Sequence, residues 1–213
     1  MTLRTIEFHY DLISPFAHVA LARLGELPAD ISVRPVPVLL GAVLRHWGQL
    51  GPAEISAKRL HTYRQSVFAG KQYGVDVRFP PRHPFNSLKA MRLMAGAEPD
   101  LATVQRAFDF VFRDGRAPDT DEELAAFAEA VGIPVDLASD DSAKATLRTN
   151  TEQAIARGVF GVPSFVCTSG SGHEVFWGVD SLDMMLAWLG DETLFDNDPY
   201  RHLDDVSIGI ERK

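Results

Sequence analysis

The stretch Ile6-Glu7-Phe8-His9-Tyr10-Asp11-Leu12-Ile13-Ser14-Pro15-Phe16-Ala17 decides the fold of this chain. Ile6, Phe8 and Tyr10 alternate with polar neighbours, the two-residue period of a strand with one buried face. Ser14-Pro15 is a helix-start signal, because serine is a favoured N-cap and proline is favoured at the first helical position. Val19, Ala20, Leu24 and Leu27 then recur at helical spacing, and Pro28 lies just past the end. Ile31 to Val38, rich in β-branched residues, reads as a second strand. Strand, helix, strand within forty residues predicts two parallel strands joined by a right-handed crossover.

Outward from that start, the chain changes character. From Pro52 to Arg157 the apolar spacing is helical. Helices are predicted over 53–73, over 87–97 with Asn86 as N-cap, over 101–113, over 121–131 and over 142–157. Thr120-Asp121-Glu122-Glu123 is a capping box, and Gly158 is a C-terminal stop. Strands return at Ser164 to Cys167 and Glu174 to Trp177, with the turn-rich Thr168 to Gly172 between them, which reads as an antiparallel hairpin. A last helix is predicted over 181–189 with Asp180 as its N-cap. The order is βαβ, a helical insertion, then ββα. That is the layout of an α/β, thioredoxin-like fold with an all-helical domain inserted in the middle. A generic α/β domain with an added helical domain is the other arrangement the order allows. The expected division is 1–45 plus 158–190 for the thioredoxin-like domain, 46–157 for the insertion and 191–213 for a polar tail.

Composition limits the function. The chain has 213 residues, 46% hydrophobic and 23% charged, so it can bury a core without metal or disulfide staples. A net charge of -8 argues against nucleic acid as the main partner. No stretch approaches the roughly 20 apolar residues of a membrane span. The segment Met1 to Glu7 lacks the apolar run of a signal peptide, and the expectation is a cytoplasmic protein. Cys167 is the only cysteine, which excludes an internal disulfide and a Cys-x-x-Cys redox or zinc pair. The seven histidines show no metal-ligand spacing, and no metal site is expected. His46, His61 and His83 read as surface or loop residues, and His9 as facing away from the apolar side of its strand. Cys167 reads as a buried small apolar residue. Phe108, Phe110, Phe112 and Phe127 read as helix packing.

Three short segments carry chemistry. Ser14 is first of all a helix cap. The same geometry favours a bound anion, through backbone N–H groups and the helix dipole. A serine hydroxyl there can donate to a thiolate and depress its pKa, and with no cysteine at this site the sulfur would arrive on a ligand. Gly161-Val162-Pro163-Ser164 reads either as an edge-strand proline or as a cis peptide that presents Val162 to a peptide-like ligand as an added strand. Trp177-Gly178-Val179-Asp180 reads either as a strand end and helix cap, or as a binding loop. In the loop reading Asp180 accepts an ammonium and Gly178 lets the ligand approach the backbone.

Phe8 to Ala17 resembles the opening of the 2-hydroxychromene-2-carboxylate isomerases, relatives of kappa-class glutathione transferases and DsbA oxidoreductases. The resemblance continues through Pro37-Val38-Leu39-Leu40-Gly41, Gly51-Pro52-Ala53, Ala57-Lys58-Arg59, Pro84-Phe85-Asn86-Ser87, Gly158 to Pro163 and Phe176 to Asp180. It implies a glutathione cofactor in the thioredoxin-domain groove. Ser14, at a helix start with Pro15 and Phe16, matches the catalytic serine facing the glutathione sulfur. Val162 and Pro163 match the contact to the cysteinyl backbone. Trp177, Gly178, Val179 and Asp180 match the loop at the γ-glutamyl end. Lys58 and Gln49 match positions near the glycyl end or the substrate, and Arg45 and Phe85 positions lining an aromatic substrate pocket. The family usually carries Asn where this chain has Gln49, and often Arg where it has Ser181.

The resemblance implies a small aromatic substrate and reversible thiolate addition to a conjugated α-keto acid, followed by bond rotation and elimination. Arg45 or Lys58 would pair with the substrate carboxylate, or be a solvated surface charge. A homodimer is implied by the resemblance only. The competing expectations are a kappa-like glutathione transferase that conjugates electrophiles, and a non-catalytic thioredoxin-fold binding module.

Overall fold

A computed structural model describes residues 4–170 and 172–210. Parts of three sequence expectations, namely the amino-terminal segment, the 168–172 turn and the end of the tail, lie outside the described residues. Four strands form one sheet in the order β2-β1-β3-β4. Strand β1 (Arg4–Tyr10) runs parallel to β2 (Ile31–Pro37), and the crossover carries helix α1 (Pro15–Arg23). Strands β3 (Ser164–Ser169) and β4 (Gly172–Trp177) form the antiparallel hairpin, with β3 also antiparallel to β1. Pro35 and Pro37 lie on the edge strand β2, where a missing N–H costs no ladder bond.

Between β2 and β3 come α2 (Leu40–His46), α3 (Ser56–Gln72), α4 (Leu88–Ala97), α5 (Leu101–Phe108), α6 (Asp121–Val131) and α7 (Asp141–Ala156). Helix α8 (Leu182–Gly190) follows β4. The capping box behaves as its residues dictate: the Thr120 hydroxyl accepts the Glu123 N–H at 3.2 Å. Gly158, at φ +81°, follows the end of α7.

Four local expectations need correction. Helix α2 was not foreseen. It has no side-chain cap of its own, and the donors at its start are met from a distance: Leu39 N–H by the Thr151 hydroxyl at 3.0 Å and Leu40 N–H by Asp11 Oδ2 at 2.9 Å. The helix expected over 101–113 is α-helical only to Phe108, and Asp109–Arg113 form a wider π turn. Asn86 does not cap α4 directly; it accepts the Leu88 N–H, and Ser87 holds the cap position. Asp180 does not cap α8; Ser181 stands there, its hydroxyl donating to the Gly178 carbonyl at 2.9 Å.

One buried apolar cluster runs from the sheet (Ile6, Phe8, Tyr10, Phe165) into the helical block (Leu93, Met94, Phe108, Phe112, Phe127). The Tyr10 and Phe108 rings lie 5.8 Å apart. The other face of the sheet is covered too, by Val36, Val38, Ala154, Val159, Val162 and Val166. His9 lies opposite Ile6, Phe8 and Tyr10 as its alternation predicts, yet it is buried because that second face is covered. Its Nε2 meets Glu7 Oε2 at 2.9 Å. Glu7 also accepts Arg34 at 2.6 Å and Arg157 at 2.7 Å, joining β1, β2 and the end of α7.

Candidate functional site

The β1–α1 junction places Ser14 at the mouth of the sheet. Its backbone is extended, at φ -94° and ψ 111°, and Pro15 opens the helix. The hydroxyl accepts the Ala17 N–H at 3.3 Å and lies 3.3 Å from the Val162 carbonyl, to which it donates. The cap therefore bridges to the loop before β3. The Val162-Pro163 peptide is cis. Among the described residues the Val162 N–H meets no acceptor, so one strand-like donor is left open beside the helix start.

The proline loop leads to the third segment. The Pro163 carbonyl accepts the Gly178 N–H at 2.9 Å. Gly178 sits at φ +94°, and a Cβ there would fall 2.6 Å from Asp180 Oδ1, so only glycine fits. The Asp180 carboxylate is exposed and pairs with no described residue. The Trp177 ring is 51% exposed, leans on Phe160 at 5.2 Å and lies over Gly161, where a Cβ would fall 2.5 Å from its Nε1. The loop is held from behind by the buried Arg23. Its Nη1 donates to the Val179 carbonyl at 2.9 Å, and its Nη2 to Glu26 at 2.8 Å and Asp183 at 2.5 Å.

Ser14 is thus joined to Val162, and Pro163 to Gly178, by hydrogen bonds, and Asp180 follows two residues on. The remaining sequence candidates stand differently. Arg45, Gln49 and Lys58 are exposed, and their side chains have no partner among the described residues. The indole of Trp47, between Arg45 and Gln49, donates to the Val159 carbonyl at 2.9 Å and ties that segment to the proline loop. Phe85 is 6% exposed and packs beside His83.

Two residues near Ser14 escaped the sequence reading. Asp11 is buried and accepts N–H groups from Ile13 at 3.1 Å and Leu40 at 2.9 Å. Burial pushes its carboxyl pKa up, and those donors together with the Ser87 hydroxyl pull against the rise. His83 lies in the loop between α3 and α4, as expected, and is partly buried there. Its Nε2 lies 2.7 Å from the Ile13 carbonyl, and burial, reinforced by Arg59, lowers its pKa. The only available signal was its place between prolines in the apolar segment 79–85. Cys167 faces Ile6 across the sheet, and burial raises its thiol pKa to about 12, so it supplies no nucleophile.

This set of polar groups can meet an extended, peptide-like ligand with a cationic end. It offers a hydroxyl at a helix start, an open N–H before a cis proline, and a free carboxylate beyond. Among the described residues, no three His, Cys, Asp or Glu side chains are arranged to hold a metal ion, and no helix is long and apolar enough to cross a membrane.

A mixed four-stranded sheet with a helix start facing a cis-proline loop defines a thioredoxin-fold protein, here with Ser14 at that helix start. The chain belongs to the DSBA-like thioredoxin domain family, whose profile matches residues 5–190. It is 29% identical over 194 residues to a 2-hydroxychromene-2-carboxylate isomerase of Pseudomonas putida, a match covering 87% of this chain and 94% of the relative. It is 22% identical to glutathione S-transferase kappa 1 of Caenorhabditis elegans, over 86% of this chain and 89% of the relative. A solved 2-hydroxychromene-2-carboxylate isomerase superposes with a TM-score of 0.74 at 25% identity, covering 95% of this chain and all of that one.

Proposed function

We propose that this protein is an isomerase of 2-hydroxychromene-2-carboxylate or a similar aromatic α-keto acid, with glutathione as its cofactor. The observation that carries the reading is the Ser14 hydroxyl, set at a helix start against the Val162 carbonyl in a chain with no cysteine there. The names of the relatives support the same chemistry. Bound glutathione would supply a thiolate that adds reversibly to a conjugated carbon, so that the bond turns while single.

The residues of the chain divide the remaining work. Ser14, with Pro15 and Phe16 behind it, holds negative charge at the helix start. Val162 and Pro163 pair with a peptide backbone. Trp177, Gly178, Val179 and Asp180 take an α-amino acid end, with Asp180 on the ammonium. Lys58 and Gln49 serve the opposite end or the substrate. Arg45 pairs with the substrate carboxylate, and Phe85 forms part of an aromatic wall. In this reading 1–45 and 158–190 hold the cofactor, 46–157 supply the substrate side and 191–213 form a tail. The compartment is the cytoplasm. A homodimer would be read by light scattering.

Turnover of 2-hydroxychromene-2-carboxylate that requires glutathione without consuming it is the expected result. Ser14→Ala should lower kcat more than it weakens glutathione, and should raise the pKa of the bound thiol. An unchanged thiol pKa in a folded Ser14→Ala variant would defeat that role. The kappa transferases among the relatives favour a second reading, conjugation of electrophiles. Accumulated conjugate from a chlorodinitrobenzene-type substrate without isomerisation would select it. Absence of glutathione binding at millimolar ligand would select a non-catalytic module instead.

A further inference from the structure

Ser14 hangs from a peptide whose two polar ends are both fixed. The Ser14 N–H donates to the Asp11 carbonyl at 3.0 Å. The Ile13 carbonyl, on the other side of the same peptide plane, accepts His83 Nε2 at 2.7 Å. A carbonyl only accepts, so His83 carries its proton on Nε2 and offers Nδ1 to the Tyr63 hydroxyl, 3.0 Å away. The single proton of that hydroxyl is shared between Nδ1 and the His83 carbonyl, which lies 2.6 Å away. The imidazole stands edge-on to the rings of Tyr63, Phe79, Phe85 and Phe112, with centroids 5.2 to 6.2 Å away, so its orientation is set by packing as well.

The same point gathers the elements that carry the substrate candidates. Asp11 Oδ1 accepts the Ile13 N–H and Oδ2 accepts the Leu40 N–H at the start of α2, the helix that bears Arg45. Ser87, at the start of α4, also favours the charged form of Asp11. Tyr63 lies on α3, five positions after Lys58, and Phe85 follows His83 by two. The hydroxyl that this arrangement aims is held loosely, since both of its own hydrogen bonds are 3.3 Å long. A small tilt of the 13–14 peptide would break either one, because hydrogen bonds weaken steeply as length and angle depart from the optimum.

We propose that Asp11 and His83 are positioning residues that clamp the two peptides before Ser14, the Asp11 carboxylate on the Leu12-Ile13 N–H and His83 on the Ile13-Ser14 carbonyl, setting the angle of the Ser14 hydroxyl toward a ligand sulfur and locking α2 and α3 to it. The clamp rests on the reading of Ser14 given above. Neither side chain touches the ligand. Their effect passes through Ser14, so it falls on the state of the thiol and on turnover more than on cofactor affinity.

The test uses the full chain with glutathione and 2-hydroxychromene-2-carboxylate. His83→Phe keeps an aromatic ring in the cage and removes the donor; His83→Gln restores an N–H in its place. In His83→Phe, kcat should fall about tenfold and the pKa of the bound thiol, followed by thiolate absorbance, should rise by about one unit, the shift that matches a tenfold change. The KM for glutathione should stay within about twofold, and His83→Gln should recover most of both losses. Asp11→Asn should move the same readouts in the same direction; if it does not fold, the His83 pair decides.

A folded His83→Phe chain with wild-type kcat and thiol pKa overturns the clamp alone. So does a loss of kcat that tracks the loss of folded protein and is not rescued by glutamine. A wild-type chain that binds glutathione without lowering its thiol pKa overturns the reading of Ser14 and the clamp with it.

Discussion

Ser14 does two jobs with one oxygen, and only the first is local. The cap on Ala17 could be read from the Ser-Pro pair, because capping partners lie within three residues. The bond to Val162 spans 148 residues and no local rule reaches it; the resemblance set Ser14 and the Gly158 to Pro163 segment on one ligand without joining them. Asp11 and His83 stayed hidden because their partners lie 29 and 70 residues away and no periodic pattern marks them. Gly178→Ala should displace Asp180, since the new Cβ collides with its carboxylate at a φ that alanine resists. The expected cost is about 1 kcal/mol or more of stability, with a raised KM for glutathione; wild-type values for both would show that the loop adapts. Cys167, with its pKa raised to about 12 by burial, should resist alkylation in the native chain and react only as the fold opens. Rapid modification of folded protein would contradict its placement in β3.

Elements whose ends are set by their own residues were read well, and those finished by distant groups were not. Helix α6 begins at Asp121 because Thr120 caps it and three acidic residues occupy its first turn. Thr120→Ala should cost about 1 kcal/mol, seen as a lower midpoint in urea with an unchanged slope. An unaltered midpoint would mean that water replaces the hydroxyl at no loss. Helix α2 is the opposite case: seven residues with no cap of their own exist because Asp11 and Thr151 complete their first turn. Helix α8 was foreseen, but its cap was placed one residue early at Asp180, whose carboxylate remains free at the rim. The buried guanidinium of Arg23 joins the end of α1 to the Val179 carbonyl and to Asp183 on α8, and no spacing rule links residues so far apart.

Across the whole molecule, the strands and the longer helices followed from apolar period, while α2, the π turn after α5 and the burial of both sheet faces did not. His9 shows the difference: its direction was correct and its surroundings were not. The cluster around it predicts an acid limit. Burial pushes the Glu7 carboxyl up, but hydrogen bonds from His9, Arg157 and Arg34 outweigh it and hold the pKa at about 2, against an ordinary 4.5. The unfolded chain therefore takes up this proton first on acidification. The contribution of Glu7 is complete above about pH 4.5 and disappears as the pH falls toward 2. His9, lowered chiefly by burial, adds a loss of the same sign below its usual range. Asp11, raised by burial, works in the opposite direction. In Glu7→Gln the decline of the urea midpoint between these two pH values should flatten. A decline as steep as in the wild type would assign acid lability elsewhere.

Tyr10 of β1 packs on Phe108 of α5, inside a cluster shared by the sheet and the inserted helices. Such a join leaves no seam about which one part can swing on the other. The groove would then admit its ligands by breathing at the rim, through the exposed Gln49-Leu50 segment and the Trp177 ring, rather than by opening like a hinge. Amide exchange would read this directly, with β1 and α5 losing their protons together and last, and the rim losing them first.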